Sequence, residues 1–315
     1  MKASLQEQLA GLAARYFEVD PGEVRLERTP TGKFNTTCFV STPRGEAVLR
    51  VAPPDDTPCV FYERNMMAQE PGIHRLLRET TDVPVAEILR YDTSRALIER
   101  DYLLMERLPG VPVSQHPGLT RAVYDRALLE TGRCLAQIHT QTAEQYGYLG
   151  EHRPMEPQAS WPDAFRVMWN RMIDDIVDAG YYDAPTAAWM RELFDRHVGV
   201  FERPVVSRLL HMDVWFENIL IDESGRVTGL VDFDRALWGD PEIDFAVLDY
   251  CGISEPAFWE GYGAARDTSP EARVRQVFYL LYELQKYIVI RALRYGRPEL
   301  ARQYQADVLR LARQL

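Results

Sequence analysis

Two polar stretches joined by a short apolar–turn–apolar segment constrain this chain more than any other feature. Their polar residues are, in chain order, His211, Asp213, Asn218, Asp232 and Asp234. The apolar runs 219–221 and 229–231 flank a polar turn that contains a glycine, and this pattern predicts a β-hairpin. The hairpin would bring Asp232 back beside Asp213 and Asn218. Two carboxylates and an amide oxygen close together form the hard oxygen set that suits Mg²⁺.

The same order of residues occurs in protein kinases, whose His-x-Asp catalytic loop contains an Asn and is followed by a metal-binding Asp. Here Asp232 is followed by Phe233 and Asp234 rather than by Phe-Gly, and a Gly-Asp-Pro-x-x-Asp motif ends at Asp244. With these features, the stretch 210–245 resembles the aminoglycoside phosphotransferase family. Its members are small-molecule kinases and include choline, fructosamine, homoserine and antibiotic kinases. The resemblance covers most of the chain, and this stretch is its most specific part.

The resemblance implies an α+β, bilobal protein-kinase-like fold. We expect an N-terminal nucleotide-binding lobe over residues 1–108, with a five-stranded antiparallel sheet plus a helix. A larger, mainly helical lobe over residues 109–315 would carry catalysis and acceptor binding. The sequence pattern agrees, because period-two alternation gives way to helical periodicity near Pro109 and Gly110.

Apolar periodicity also predicts the individual elements. Strand patterns occur at 24–28, 37–40 and 47–51, another strand starts in 83–89, and 96–100 and 102–108 complete the sheet. Helical patterns occur at 5–17, 66–78, 121–138, 161–178 and 187–201, then after Asp240 and across 278–292. We interpret His139 as a packed or capping residue, and the resemblance gives Asp244 the role of anchoring the catalytic-loop backbone.

The resemblance also implies the phosphate-binding residues. Arg50 stands where protein kinases have the strand-three Lys that binds the nucleotide phosphates. Glu70 matches the helix acid that pairs with this cation, and Glu63 is the alternative. The hairpin tip 29–35 would cover the phosphates through its backbone N–H groups, and it is not a Walker A loop. Lys33 in this tip is a rival to Arg50 as phosphate ligand.

The segment before Pro109 resembles the hinge between the two lobes of a kinase. Adenine would pair there with the backbone carbonyl of Glu106 and the N–H of Leu108. Met105 would lie at the back of the base pocket. The expected nucleotide is ATP, with GTP as the alternative.

The expected reaction is transfer of the γ-phosphoryl group to a hydroxyl of a small molecule. Asp213 would orient the hydroxyl and accept its proton, and His211 would brace the loop. Asn218 and Asp232 would hold Mg²⁺, and Asp234 would hold a metal-bound water or the loop itself.

Composition narrows the partners. The net charge of −11 argues against a nucleic-acid backbone. The four cysteines are scattered without metal-ligand spacing, which is typical of a reducing cytoplasm. The first residues lack the apolar core of a signal peptide, and no uncharged run approaches the roughly 18 residues of a membrane span. We therefore expect a cytoplasmic protein without a membrane partner, and its oligomeric state stays open.

Three alternatives remain on the sequence alone. A protein kinase would need a Gly-x-Gly-x-x-Gly loop and an Ala-Pro-Glu segment, which the chain lacks. A non-catalytic nucleotide-binding module is the second. The third is a kinase with a different acceptor: Trp215 resembles fructosamine kinases, but Glu217 stands where those carry Gly. The acceptor, either cationic or sugar-like, is not identified. An acid cluster at Asp174, Asp175 and Asp178 could hold an amine, although such acids are more often a solvated helix face.

Overall fold

The computed structural model of the chain describes residues 4–29 and 34–315. The predicted phosphate ligand Lys33 lies outside these residues. Within the described residues, no helix is both long enough and apolar enough to cross a membrane.

A five-stranded antiparallel sheet forms the N-terminal part of the molecule, as predicted. Its strands are β1 (Arg25–Arg28), β2 (Thr36–Thr42), β3 (Gly45–Val51), β4 (Ile88–Asp92) and β5 (Tyr102–Met105), in the order β1-β2-β3-β5-β4. Successive residues of a strand point to opposite faces of the sheet. Leu49 of β3 therefore packs with the first helix, α1 (Leu5–Phe17), while Arg50 faces the other side, where Leu103 and Met105 lie.

Two of the strand predictions were wrong in their extent. Residues 96–100 form no strand and belong to the loop before β5. Arg95 has a left-handed backbone with φ of 56°. Its guanidinium pairs with Asp55 and Asp101, which stabilises a compact turn instead of an extended chain. The apolar run 83–89 packs beside the helix α2 (Glu70–Thr80), and β4 begins only at Ile88.

The rest of the chain is mainly helical. The helices are α3 (Arg121–Ile138), α4 (Trp161–Asp178), α5 (Ala184–His197), α6 (Glu242–Cys251), α7 (Pro256–Tyr262), α8 (Pro270–Val289) and α9 (Pro298–Ala312). The helix predicted over 187–201 thus begins earlier and ends at His197, followed by a 3-10 turn. A buried aromatic cluster that includes Trp161, Phe165 and Phe278 joins α4, α5 and α8. Packing in this core fixes the position of α8, which lies beside the predicted catalytic loop.

The predicted catalytic hairpin is present. It consists of β9 (Ile219–Ile221) and β10 (Val227–Leu230), with the short β6 (Val111–Pro112) paired to β9. A second small sheet joins β7 (Thr142–Ala143), β8 (Ser207–Leu210) and β11 (Leu237–Gly239). The catalytic loop leaves β8 and enters β9, so both of its ends are fixed by strands.

Gly110 connects the first sheet to this hairpin. Its φ is +95°, and a Cβ there would lie 2.3 Å from Thr228 Oγ1 and 2.7 Å from the carbonyl oxygen of Ile221. Glycine is therefore required both by the backbone and by the close approach of the chain to the hairpin.

Candidate active site

The carboxylate of Asp244 anchors the backbone of the catalytic loop. Its two carboxylate oxygens accept the N–H groups of His211 and Met212 at 2.9 and 2.7 Å. Met212 has φ of 65°, an uncommon conformation for a residue with a side chain, and the two hydrogen bonds secure it. His139, at the C-terminal end of α3, lies 3.1 Å from the same carboxylate and 2.8 Å from the Tyr262 hydroxyl. The structure thus gives His139 a packing role and Asp244 the anchoring position.

The imidazole ring of His211 stabilises the catalytic loop through two hydrogen bonds. Its Nδ1 accepts the Asp213 N–H at 3.2 Å, so Nε2 carries the proton and donates to the Val231 carbonyl at 3.1 Å. The ring is buried against Phe233, with 4.4 Å between ring centroids. Burial lowers the pKa of His211 below its usual value, against the attraction of Asp244. A neutral His211 connects the catalytic loop to the end of β10.

Asp213 lies between two hydrogen-bond donors. Its Oδ1 accepts from Arg235 at 2.7 Å, and its Oδ2 accepts from the Asn218 amide at 2.9 Å. Burial would raise the pKa of Asp213, but the charges of Arg235 and Lys286 outweigh it and the pKa falls below the usual range. The side chain remains 26% exposed. Asp213 is therefore an ionised carboxylate that a small molecule can reach.

Arg50 joins the sheet, α2 and the loop after β10. Its Nη1 lies 2.5 and 2.7 Å from the two carboxylate oxygens of Glu70, and its Nη2 lies 2.7 Å from Asp232 and 3.0 Å from Asp234. Burial would lower the pKa of Arg50, but the three carboxylates raise it above its usual value. Burial also opposes ionisation of Glu70, yet Arg50 keeps the pKa of Glu70 low.

Glu63, the alternative partner for Arg50, lies elsewhere. It is buried and forms an ion pair with Arg294, near the C-terminal end of α8. The sequence did not separate the two acids because Glu63 lies just before the predicted helix 66–78 and Glu70 lies near its start.

Asp234 is held by residues that sequence reasoning missed. Asn35 donates to its carboxylate at 3.0 Å, and the Gln69 amide donates to its backbone carbonyl. Burial and the neighbouring Asp232 raise the pKa of Asp234 well above its usual value. Gln69 immediately precedes Glu70 and Asn35 is the last residue of the predicted phosphate loop, but neither position has a motif that predicts these contacts.

The carboxylates of Glu70, Asp232 and Asp234 offer oxygens that all lie within 4.8 Å of one another. This donor set fits a hard divalent cation. The Asn218 Nδ2 donates to the carboxylate and the backbone carbonyl of Asp213, so the amide oxygen Oδ1 is the atom that could act as a metal ligand. The structure brings Asp232 and Asp234, two of the three predicted metal ligands, together with Glu70.

Met105 lies on the face of the sheet that carries Arg50, and Glu106 and Leu108 follow the end of β5. Met105 is buried in a cluster against which Val48 and Leu108 pack. Gly229 of β10 faces Leu108, and a Cβ there would lie 2.9 Å from a Leu108 methyl group. The N–H of Glu106 donates to the Glu87 carbonyl at 2.8 Å, which fixes the segment that leads to Leu108. These contacts place Met105 and Leu108 in one apolar cluster beside β10.

Two of the three acids that could hold an amine, Asp174 and Asp175, have partners within the protein. Asp174 is exposed and pairs with Arg191 of α5, as expected of a solvated helix face, while Asp175 accepts the Phe61 N–H at 2.7 Å. Asp175 therefore connects α4 to the segment at Phe61.

A five-stranded sheet on a mainly helical unit, with an anchored His-x-Asp loop between them, defines the class of bilobal kinases. Residues 7–277 match the model of the phosphotransferase enzyme family. The chain therefore belongs to this family, and it is a small-molecule kinase.

Two curated relatives are similar over about two thirds of the chain. A probable ketoamine kinase of Vibrio cholerae is 35% identical over 221 residues, which cover 67% of this chain and 69% of the relative. A probable ketoamine kinase of Vibrio parahaemolyticus is 26% identical over 232 residues, covering 66% and 69%.

Solved structures share the fold at low identity. Aminoglycoside phosphotransferase APH(4)-Ia, in a ternary complex with AMP-PNP and hygromycin B, has a TM-score of 0.66 at 19% identity, covering 97% of this chain and 98% of that one. The gentamicin complex of APH(2")-IIa has a TM-score of 0.64 at 14% identity, covering 99% and 97%.

Proposed function

We propose that the chain transfers the γ-phosphoryl group of ATP to a hydroxyl of a ketoamine sugar, with Asp213 as the base. The observation that carries the proposal is the position of the Asp213 carboxylate. It is ionised, partly exposed, and held 2.7 Å from Arg235 and 2.9 Å from Asn218 on a loop anchored at both ends. A general base needs to be fixed within hydrogen-bond reach of the proton that it accepts.

The proposed reaction is an in-line transfer of the γ-phosphoryl group. Asp213 accepts the proton of the acceptor hydroxyl while the acceptor oxygen bonds to the γ-phosphorus. The bond from the γ-phosphorus to the bridging oxygen breaks, and ADP leaves with its electron pair. Arg50 is the proposed phosphate contact, and Met105, Glu106 and Leu108 are proposed to receive the base of ATP, with GTP as the alternative nucleotide.

The oxygen donors near Asp232 support a role for Mg²⁺. Asp232, Asn218 and Asp234 are the residues proposed to hold it, and the bound ion would neutralise charge on the phosphate oxygens. Arg50 already engages both oxygens of Glu70, so we assign Glu70 to positioning Arg50. The division into lobes at residues 108 and 109 is proposed with the same scheme, because Gly110 marks the passage from sheet to hairpin.

The charges beside Asp213 favour a ketoamine over a polycationic acceptor. The two carboxylates that contact Arg235, those of Asp213 and Glu283, are already paired with the protein's own cations Arg235 and Lys286. A polycation would have to displace the protein's own cations from these carboxylates. A ketoamine carries a single amine, and the curated relatives have this activity in their names. Aminoglycosides are the second candidate, since the structures of the same fold contain hygromycin B and gentamicin.

The experiment is ADP release by the purified protein with Mg-ATP and matched acceptors. We expect turnover with 1-(butylamino)-1-deoxyfructose, weaker turnover with fructose, and little with hygromycin B, gentamicin, choline or homoserine. Turnover only with the antibiotics would replace the ketoamine with the second candidate. Absence of acceptor-dependent ADP release across the whole panel would contradict the proposed acceptor class.

A further inference from the structure

We propose that Arg235 is the positioning residue of the base Asp213, and that Glu283 of α8, which also pairs with Lys286, holds Arg235 in that position. The inference rests on the proposed function, in which Asp213 is the base. It goes further because it assigns a residue that follows the Asp232-Phe233-Asp234 segment and that the kinase pattern does not include.

The guanidinium of Arg235 bridges two carboxylates, those of Asp213 and Glu283. Arg235 Nη1 donates to Asp213 at 2.7 Å and Nη2 donates to Glu283 at 2.8 Å. The side chains of Arg235 and Glu283 are 9% and 2% exposed. The planar guanidinium has a fixed angle between its two nitrogens, so engaging both acids fixes where each carboxylate lies. The face of Tyr62, 5.7 Å from the guanidinium carbon, limits the remaining freedom.

Both oxygens of Asp213 are held, yet the carboxylate keeps the capacity to accept a proton. An ionised carboxylate has about four acceptor positions on its two oxygens. Arg235 uses one on Oδ1 and the Asn218 side chain uses one on Oδ2. The remaining positions can receive an acceptor hydroxyl. Two anchors on separate oxygens stop rotation of the carboxylate, which one anchor would not do.

The position of Arg235 between Asp213 and Glu283 is not explained by a need to neutralise the charge of Glu283. Lys286, three residues further along α8, already forms an ion pair with Glu283. A cation at position 235 is therefore not needed to balance Glu283, whereas the contact with Asp213 is made by Arg235 alone among the ion pairs of the described residues. The bridge thus connects the base to α8.

Kinetics separate a positioning role from acceptor binding. We expect R235M to lower kcat by about 10²-fold, as small misplacements of a reacting group do. R235K should recover part of that loss, and KM for ATP should stay within about twofold. The control R166M removes an arginine of α4 that also pairs with an acid, Asp195 of α5. A raised acceptor KM with unchanged kcat would overturn the proposal, because Arg235 would then only bind the acceptor.

Thermal unfolding tests the bridge without an acceptor. If Arg235 engages the Asp213 carboxylate, R235M should lower Tm by several degrees in the wild type and by clearly less in the D213N background. Equal drops in the two backgrounds would overturn the proposal whatever the substrate. If unfolding shows the coupling but no acceptor is phosphorylated, the proposed function fails and the positioning contact stands. If D213N abolishes turnover and R235M leaves it intact, the function stands and the positioning role fails.

Discussion

Arg50 and Asp232 lie 182 residues apart in the sequence, and in the structure the guanidinium of one is 2.7 Å from the carboxylate of the other. The same guanidinium pairs with Glu70, which is fully buried. Removing one member of a buried ion pair leaves an uncompensated charge. We therefore predict that R50M lowers the free energy of unfolding by about 3–5 kcal/mol, measured by urea denaturation.

The control for this prediction is Arg44, an exposed residue that pairs with Glu18 at 2.9 Å. R44M should cost less than about 1 kcal/mol, as exposed pairs do. Equal losses for the two variants would contradict the buried Arg50–Glu70 pair.

A second prediction concerns Gly110. G110A should lower the free energy of unfolding by about 3 kcal/mol, because it combines backbone strain with overpacking against Thr228 and Ile221. Gly180 is a matched control, since its φ is +77° but nothing lies within 4 Å of the place that an alanine methyl group would take. G180A should cost only about 1 kcal/mol from backbone strain. Similar losses at the two positions would remove the steric argument for glycine at the hinge.

The third prediction concerns pH. Burial raises the pKa of Asp175 to about 7, with the Phe61 N–H acting in the opposite direction. The folded pKa exceeds the unfolded value of about 4, so the protonated acid is favoured by folding. The contribution of protonated Asp175 to the free energy of unfolding is complete below about pH 4 and is lost as pH rises through about 7.

The variant D175N should remove that dependence. Between about pH 4 and pH 8, the difference in unfolding free energy between wild type and D175N should change by on the order of 2 kcal/mol after allowance for partial exposure. The control D56N makes the same substitution at an exposed aspartate, so it separates the effect of position 175 from the loss of one carboxylate in general. A D175N profile parallel to the wild type would show that Asp175 is ionised normally.

The fourth prediction concerns the proposed metal ligands. Asp232 is 36% exposed on the side chain, whereas Asp234 is 5% exposed and already accepts from Asn35 and Arg50. D232A should abolish the tightening of ATP binding by Mg²⁺, and D234A should weaken it less. Calorimetry with and without Mg²⁺ measures both. Equal ATP affinity in the two conditions for the unmutated protein would count against a metal site here.

The elements that the sequence predicted well are those determined locally. Helix α4 was predicted over 161–178 and is found at Trp161–Asp178, because its apolar stripe, Pro162 in its first turn and the N-cap Ser160 are all local to the segment. The hairpin of β9 and β10 likewise carries its own turn residues. The stretch 96–100 was predicted incorrectly because the φ of Arg95 and its ion pairs with Asp55 and Asp101 override the apolar pattern.

The contacts of the candidate site likewise fall into those that the local motif predicts and those that it does not. The motif predicts the vicinity of Asp213, Asn218 and Asp232, since a hairpin of known length joins them. It does not predict that Asn35 lies 3.0 Å from Asp234, 199 residues away. Nor does it predict the bridge through Arg235, which depends on where α8 packs. Such contacts are set by the tertiary arrangement, and no spacing along the chain encodes them.

The central claim is that Asp213 is the base of a phosphotransfer to a small molecule, and D213N tests it most directly. The measurement is kcat for ADP release with 1-(butylamino)-1-deoxyfructose, alongside ATP affinity from calorimetry. Asn keeps the shape of the side chain but cannot accept the proton, so kcat should fall by about 10²-fold or more with ATP affinity near that of the wild type. Near-native kcat in D213N with an acceptor that the wild type phosphorylates would contradict the account.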